Sequence, residues 1–192
     1  MYKKKVLLVE DDPDHAELII DELEIKDIKN EVILLRDGLE AMKYLQKIVV
    51  DAYYGKRSQI DLAIIDLNLP KFHGMSVLKF IKQHSKFYSI PVIILSTSSD
   101  FKVISEAYEN GANSFVTKSI DYEEFSKKMK YLSRFWLSTN AFAHAGDRDN
   151  VAVKECIESL KDTVKNTERV TGLTNELKNE TENQTKELER KN

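Results

Sequence analysis

The sequence predicts an α/β domain built on a parallel sheet, and three observations carry that prediction. Five short runs of strand character alternate with five stretches of helical periodicity. The strand runs are nearly all apolar, as strands covered by helices on both faces must be. Acidic, hydroxyl and amine side chains follow those runs directly, so polar groups collect at the carboxyl ends of the strands. Crossovers between parallel strands are right-handed almost without exception, which leaves few topologies. No G-x-G-x-x-G follows the first strand, so a dinucleotide fold is not indicated. The arrangement that fits is a flavodoxin-like five-stranded sheet of order 2-1-3-4-5 with helices on both faces, followed by a C-terminal helical extension.

Each element has its own signal. Val6 to Val9 is the first strand, and Glu10, Asp11 and Asp12 follow it at once. Pro13 opens a helix, where its missing N–H costs nothing, and Ala16, Leu18, Ile19 and Leu23 form the apolar stripe. Glu31 to Leu35 is the second strand. Asp37 and Gly38 turn the chain into a helix through Ala41, Met42, Leu45 and Ile48, and residues 50–59 read as a polar, tyrosine-bearing loop. The third strand ends at Asp66. Pro70 and Gly74 mark the loop after it, and Met75 to His84 is a helix with Val77, Leu78 and Ile81 inward. Ile90 to Leu95 is the fourth strand, ending at Ser96. Phe101 to Glu109 is helical and Asn110-Gly111 stops it. Ser114 to Thr117 is the short fifth strand, followed by Lys118. The fifth helix runs from Asp121 to about Leu137.

The chain has 192 residues, 42% of them hydrophobic and 32% charged. A net charge of −3 gives no global basic field for nucleic acid or an acidic membrane. The basic start, Lys3 to Lys5, precedes an apolar run too short for a signal-peptide core, and no run reaches membrane-span length. Cys156 is the single cysteine, so neither an intrachain disulfide nor a thiolate cluster can form. A cytoplasmic protein is expected.

In a sheet of this order the ligand sits outside the carboxyl ends of the strands, where strands one and three adjoin. Glu10 and Asp11, Asp66, Ser96 and Lys118 all fall at that edge. Taken singly, each has an ordinary explanation: a strand-end aspartate caps a helix or makes a turn, and a lysine pairs with an acid. Together they suggest chemistry. Three neighbouring carboxylates repel one another unless a cation is present, and Mg²⁺ suits oxygen ligands. Asp66 is a candidate phosphoryl acceptor, with the metal and Lys118 neutralising charge and Ser96 donating a hydrogen bond.

These residues closely resemble the receiver domain of two-component response regulators. The resemblance lies in Glu10-Asp11 after the first strand, Asp66-x-Asn68-x-Pro70-x-x-x-Gly74, Pro91 to Ser96, Gly111-Ala-Asn-x-Phe115 and Lys118, and it covers roughly residues 3–139. It implies that Asp66 accepts a phosphoryl group from a histidine kinase. It further implies that Asp11 and the backbone carbonyl of Asn68 bind Mg²⁺, with Glu10 acting mainly through water, and that Ser96 and Lys118 contact the phosphoryl group. Phe115 holds the position of the aromatic switch residue, without a hydroxyl. A finer resemblance joins the chain to small stand-alone regulators paired with cyanobacterial phytochromes. It is carried by Asp66 to Lys71, Ile90-Pro-Val, Leu95 to Ser98, Ala112 to Phe115, Phe135-Trp-Leu137 and the Tyr53-Tyr54-Gly55 loop. That resemblance implies a phytochrome-type kinase partner and a homodimer formed through the last strand and helix.

Two positions depart from the family pattern. Ser119 stands where proline usually follows the lysine in a cis bond. A cis bond before a non-proline residue costs about 2.5–4 kcal/mol, so a trans bond is expected, with a risk of displacing Lys118. His73 stands where aspartate or asparagine is common and is expected to be a solvated loop residue.

The expected organisation is a receiver over residues 1–138, a linker over 139–150, and an amphipathic tail over 151–192. In the tail Ile157, Leu160 and Val164, then Val170, Leu173, Leu177 and Leu188, give an imperfect heptad register. The tail lacks the basic recognition face of a helix-turn-helix output, so direct DNA binding is not expected. The ending resembles helical connectors of sensor kinases, so a receiver fragment of a longer hybrid kinase is an alternative. An enzyme of the dehalogenase-type phosphatase class needs a second acid two residues after the nucleophile, where this chain has Asn68. A structural dimerisation module with a silent receiver is the third reading, and the intact acid–acid–Asp–Ser–Lys set argues against it.

Overall fold

The structure is a computed structural model that describes residues 3–25, 28–55 and 59–142. The tail expected over 151–192, and the linker beyond residue 142, lie outside the described residues. Five strands, β1 (Lys4–Val9), β2 (Asn30–Leu35), β3 (Leu62–Asp66), β4 (Val92–Ser96) and β5 (Ser114–Thr117), form one sheet of order β2-β1-β3-β4-β5. Every neighbouring pair is parallel. Five α-helices alternate with them: α1 (Pro13–Leu23), α2 (Gly38–Tyr53), α3 (Gly74–Gln83), α4 (Phe101–Glu109) and α5 (Tyr122–Ser133). This is the flavodoxin-like arrangement the sequence predicts.

Alternation along the strands makes two cores. Leu7, Val9, Ala63, Ile65 and Ile94 point to one face and pack with Leu45, Ile48, Leu78 and Ile81 of α2 and α3. Val6, Leu8, Ile64, Ile93 and Leu95 point to the other and pack with Leu18, Ile19, Phe125 and Met129 of α1 and α5. The three inner strands are therefore buried on both sides, while β2 and β5 are half-buried edges. The apolar stripe read for α1 is buried at all four positions.

Aspartates start most of the helices. Asp12, Asp37, Asp100 and Asp121 each accept a hydrogen bond from a backbone N–H in the first turn. Gly111, at φ 91°, takes the left-handed turn after α4, as the Asn110-Gly111 stop requires.

Three of the differences from the expected boundaries have a clear local cause. Residues 50–53 are the last turn of α2 rather than loop, because neither glycine nor proline interrupts the chain before Gly55, where φ is 76°. β4 begins at Val92 rather than Ile90. The Ile90 N–H is spent on the Phe87 carbonyl, and Pro91 has no N–H to give the ladder. The fifth helix does not stay α-helical to Leu137. Beyond Ser133 it widens into a π-helical segment, Arg134–Thr139, in which Leu137 is buried. The Lys4 ammonium donates to the Leu137 carbonyl at 2.5 Å and lies 5.1 Å from the centre of the Phe142 ring. That contact fastens the end of the helical run to the first residue of β1.

Candidate functional site

Strand register builds the site. Val9 pairs with Ile65, Asp66 with Leu95, and Ser96 with Thr117. Glu10, Asp66, Ser96 and Lys118 therefore line up along one edge of the sheet, at the carboxyl ends of adjacent strands, as the sequence indicates. Lys118 is the centre of the group. Its ammonium donates to both Glu10 carboxylate oxygens at 2.9 and 2.8 Å and to Asp66 Oδ2 at 2.5 Å. The three side chains are 3%, 0% and 8% exposed, so these contacts are made away from water.

One ammonium faces two buried carboxylates, with Asp11 exposed beside them. Burial pushes the Glu10 carboxyl up to about 7 despite the opposing pull of Lys118, and the charges of Asp66 and Asp11 add to the rise. Oxygens of Glu10, Asp11 and Asp66 all lie within 4.8 Å of one another. This donor set is entirely carboxylate, and its negative charge exceeds what Lys118 can neutralise. It fits a hard divalent cation and does not fit a soft one.

Of the other residues singled out from sequence, Asn68 and Ser96 adjoin this centre. The Asn68 N–H donates to Asp66 Oδ1 at 3.0 Å, and its side-chain amide reaches Thr97 Oγ1 at 3.4 Å. Ser96 is buried, its Oγ accepts the Ser98 N–H at 3.1 Å, and its carbonyl accepts the Lys118 N–H at 2.8 Å. Phe115 is half-buried against the core on the α2–α3 side, and its N–H donates to the Tyr108 hydroxyl at 3.2 Å. Gly74 closes the loop after Asp66: a Cβ there would sit 2.0 Å from the Asp66 carbonyl oxygen, and the Gly74 N–H donates to Leu67 O at 2.9 Å.

The two departures from the family pattern have structural answers. The bond between Lys118 and Ser119 is trans, as expected, and Lys118 is not displaced. Ser119 instead anchors the start of α5, donating to Glu124 Oε2 at 2.6 Å and accepting the Asp121 N–H at 3.2 Å. His73 is exposed but not a free loop residue. It is the first capping residue of α3, with Nδ1 accepting the Met75 N–H at 3.3 Å.

Two participants escape sequence reading. His15, in the first turn of α1, brings Nδ1 within 3.4 Å of the Lys118 ammonium and 3.7 Å of Glu10 Oε1, and packs edge-on against Phe125. The signal available was its place two residues after Pro13, on the turn that faces the strand ends. Asp37 and Lys71 form an ion pair at 2.5 Å that joins the start of α2 to the loop after Asp66. Nothing in their spacing announces it.

Comparison with known proteins agrees with this geometry. Residues 6–130 match the family model described as the response regulator receiver domain. The response regulator Rcp1 of Synechocystis sp. is 38% identical over 136 residues, covering 71% of this chain and 90% of that protein. Among solved structures, the phosphorylated cyanobacterial phytochrome response regulator RcpA superposes with a TM-score of 0.68 at 37% identity, over 74% of this chain and all of that one. The Mn²⁺-bound form of Rcp1 gives 0.67 at 36% identity, over 73% of this chain and 99% of that one. The domain that carries Glu10, Asp66 and Lys118 along one sheet edge thus belongs to the receiver family of two-component response regulators.

Proposed function

We propose that this receiver takes a phosphoryl group from a histidine kinase onto Asp66 and passes the signal on through partner or dimer contacts. The observation that carries the reading is the buried bridge from Lys118 to Asp66 and Glu10. It holds an acceptor carboxylate and a neutralising cation together where water is scarce and electrostatic stabilisation is strong.

In the transfer, an Asp66 carboxylate oxygen bonds to phosphorus as the bond from phosphorus to the donor imidazole nitrogen breaks, and that nitrogen keeps the electron pair. Lys118 neutralises one of the transferring oxygens. The Ser96 hydroxyl donates to another, giving up its present role as acceptor for Ser98. Asp11, Asp66 and the Asn68 carbonyl would hold Mg²⁺, with Glu10 acting mainly through water, and the ion would supply further charge neutralisation. The chain itself is a phosphoacceptor rather than an enzyme with a separate substrate. Once Ser96 turns toward the phosphoryl group, Phe115 moves into the space it leaves. α4, β5 and α5 then present altered contacts, with Tyr122, Tyr131 and Phe135 exposed on α5 and the π-helical segment. The phytochrome regulator among the relatives supports a phytochrome-type kinase as donor, and the exposed aromatic side chains support this face as a homodimer contact.

The test is intact-mass measurement after treatment with acetyl phosphate and Mg²⁺. The native chain gains one phosphoryl group and Asp66→Asn gains none. A full-strength adduct on that variant overturns the assignment. Solution mass measured on the same samples reports whether dimerisation accompanies the label.

A further inference from the structure

Lys71 is the one non-glycine residue with positive φ among the described residues, at 65°. A lysine in this left-handed region must be held there by its surroundings. Three contacts hold it. Its ammonium meets Asp37 Oδ2 at 2.5 Å, and Asp37 is itself buried at the start of α2. The Gly38 N–H donates to the Pro70 carbonyl at 3.3 Å. A Cβ at Gly38 would sit 2.0 Å from the Phe72 carbonyl oxygen, so loop backbone and helix start are in direct contact. The neighbouring Glu40 is committed elsewhere, its carboxylate accepting the Arg36 N–H at 2.9 Å. The loop from Leu67 to Gly74 is thus fixed at both ends and pinned in the middle. Asn68, whose carbonyl the proposed function assigns to the metal, lies between the pinned point and Asp66.

We propose that Asp37 and Lys71 are positioning residues that act as a latch, holding the Pro70–Lys71 turn so that the Asn68 carbonyl is presented to the divalent cation. This rests on the metal reading of the site given above. The latch acts on metal affinity and not on the phosphoryl step, because neither side chain reaches Asp66, Lys118 or Ser96.

Charge gives the latch a distinctive signature. Removing the positive charge of Lys71 should by itself strengthen binding of a cation nearby, since like charges repel. A weakening can then come only from lost positioning. The probe is Mn²⁺ alone, titrated against the full chain by the paramagnetic resonance signal of the free ion, with no phosphoryl donor present. Lys71→Met is expected to weaken Mn²⁺ binding by about threefold or more. That lies below the about 10–100-fold typical of a ligand's direct support, because Leu69 and Pro70 intervene. Lys71→Arg keeps the charge and the reach to Asp37, and retains native affinity. Hydrogen exchange over residues 67–74 rises in Lys71→Met alone of the two variants, and the rate of labelling by acetyl phosphate at saturating Mn²⁺ is native in both. Unchanged or tighter binding in Lys71→Met overturns the latch, as does an equal loss in Lys71→Arg. A native chain that binds no Mn²⁺, or an Asp66→Asn variant that still takes the label, overturns the site reading instead, so the two failures are told apart.

Discussion

Replacing Lys118 with methionine removes the one cation between two buried carboxylates while keeping most of the volume of the side chain. The ammonium makes three contacts of 2.5–2.9 Å to Glu10 and Asp66, and all three side chains are shielded from water. Removing one partner of a buried pair costs about 3–5 kcal/mol, because it leaves an uncompensated charge behind. Here the cost has an outlet. The Glu10 carboxyl already sits at about 7 with Lys118 present, and without it protonation becomes easier still. The metal-free variant is therefore expected to lose about 3 kcal/mol at pH 8 and distinctly less at pH 6. Urea unfolding in a chelator at the two pH values measures this. With slopes of about 1–3 kcal/mol/M, the midpoint at pH 8 falls by roughly 1–3 M. Added Mg²⁺ replaces the missing charge and raises the midpoint more in Lys118→Met than in the native chain. A loss below about 1 kcal/mol at pH 8, or the same loss at both pH values, refutes the claim that Lys118 is the charge compensating this pair.

Two further outcomes follow from the same site. The folded state keeps a proton on Glu10 up to about 7, whereas the unfolded chain releases it near 4.5, so the metal-free protein loses stability as pH rises between those values. The drop amounts to about 3 kcal/mol, levels off above pH 7, and disappears in Glu10→Gln; chemical unfolding across pH 4.5–8 measures it. Gly74→Ala puts a Cβ 2.0 Å from the Asp66 carbonyl oxygen, so the loop after the acceptor must move. An overpacking loss of about 1–3 kcal/mol in thermal or urea unfolding is expected, together with slower labelling by acetyl phosphate.

Much of this molecule was legible before its structure. The strand order and the four strand ends followed from apolar runs and topology rules, because burial on both faces leaves little choice of residue at Val6–Val9 or Ile93–Leu95. The approach of Glu10, Asp66 and Lys118 was legible because parallel strands put their carboxyl ends on one side. What was not legible depends on contacts distant in sequence. The Asp37–Lys71 pair spans 34 positions, and the left-handed turn at Lys71 has no glycine or asparagine to mark it. His15 could be placed on α1, but its distance to Lys118 comes from how α1 leans on the sheet. The last turn of α2 is hidden in the sequence because residues 50–53 carry tyrosine and aspartate, which suit a loop as well as an exposed helix end. The π-helical widening after Ser133 coincides with the docking of Leu137 and the Lys4 contact to its carbonyl, which helical periodicity cannot register.

The bond from Lys4 to the Leu137 carbonyl has a practical consequence for following the signal. Lys4 begins β1 and Glu10 follows its end, so the helical run is fastened at the pole of the domain opposite the acceptor. Six residues of strand separate the two poles by about 20 Å. A dye attached just after the Leu137 anchor thus lies far from any direct contact with the phosphoryl group. A change in its emission on labelling of Asp66 that persists where the chain is dilute enough to stay monomeric reports motion carried through the packed interior, so a C-terminal reporter separates propagated response from association.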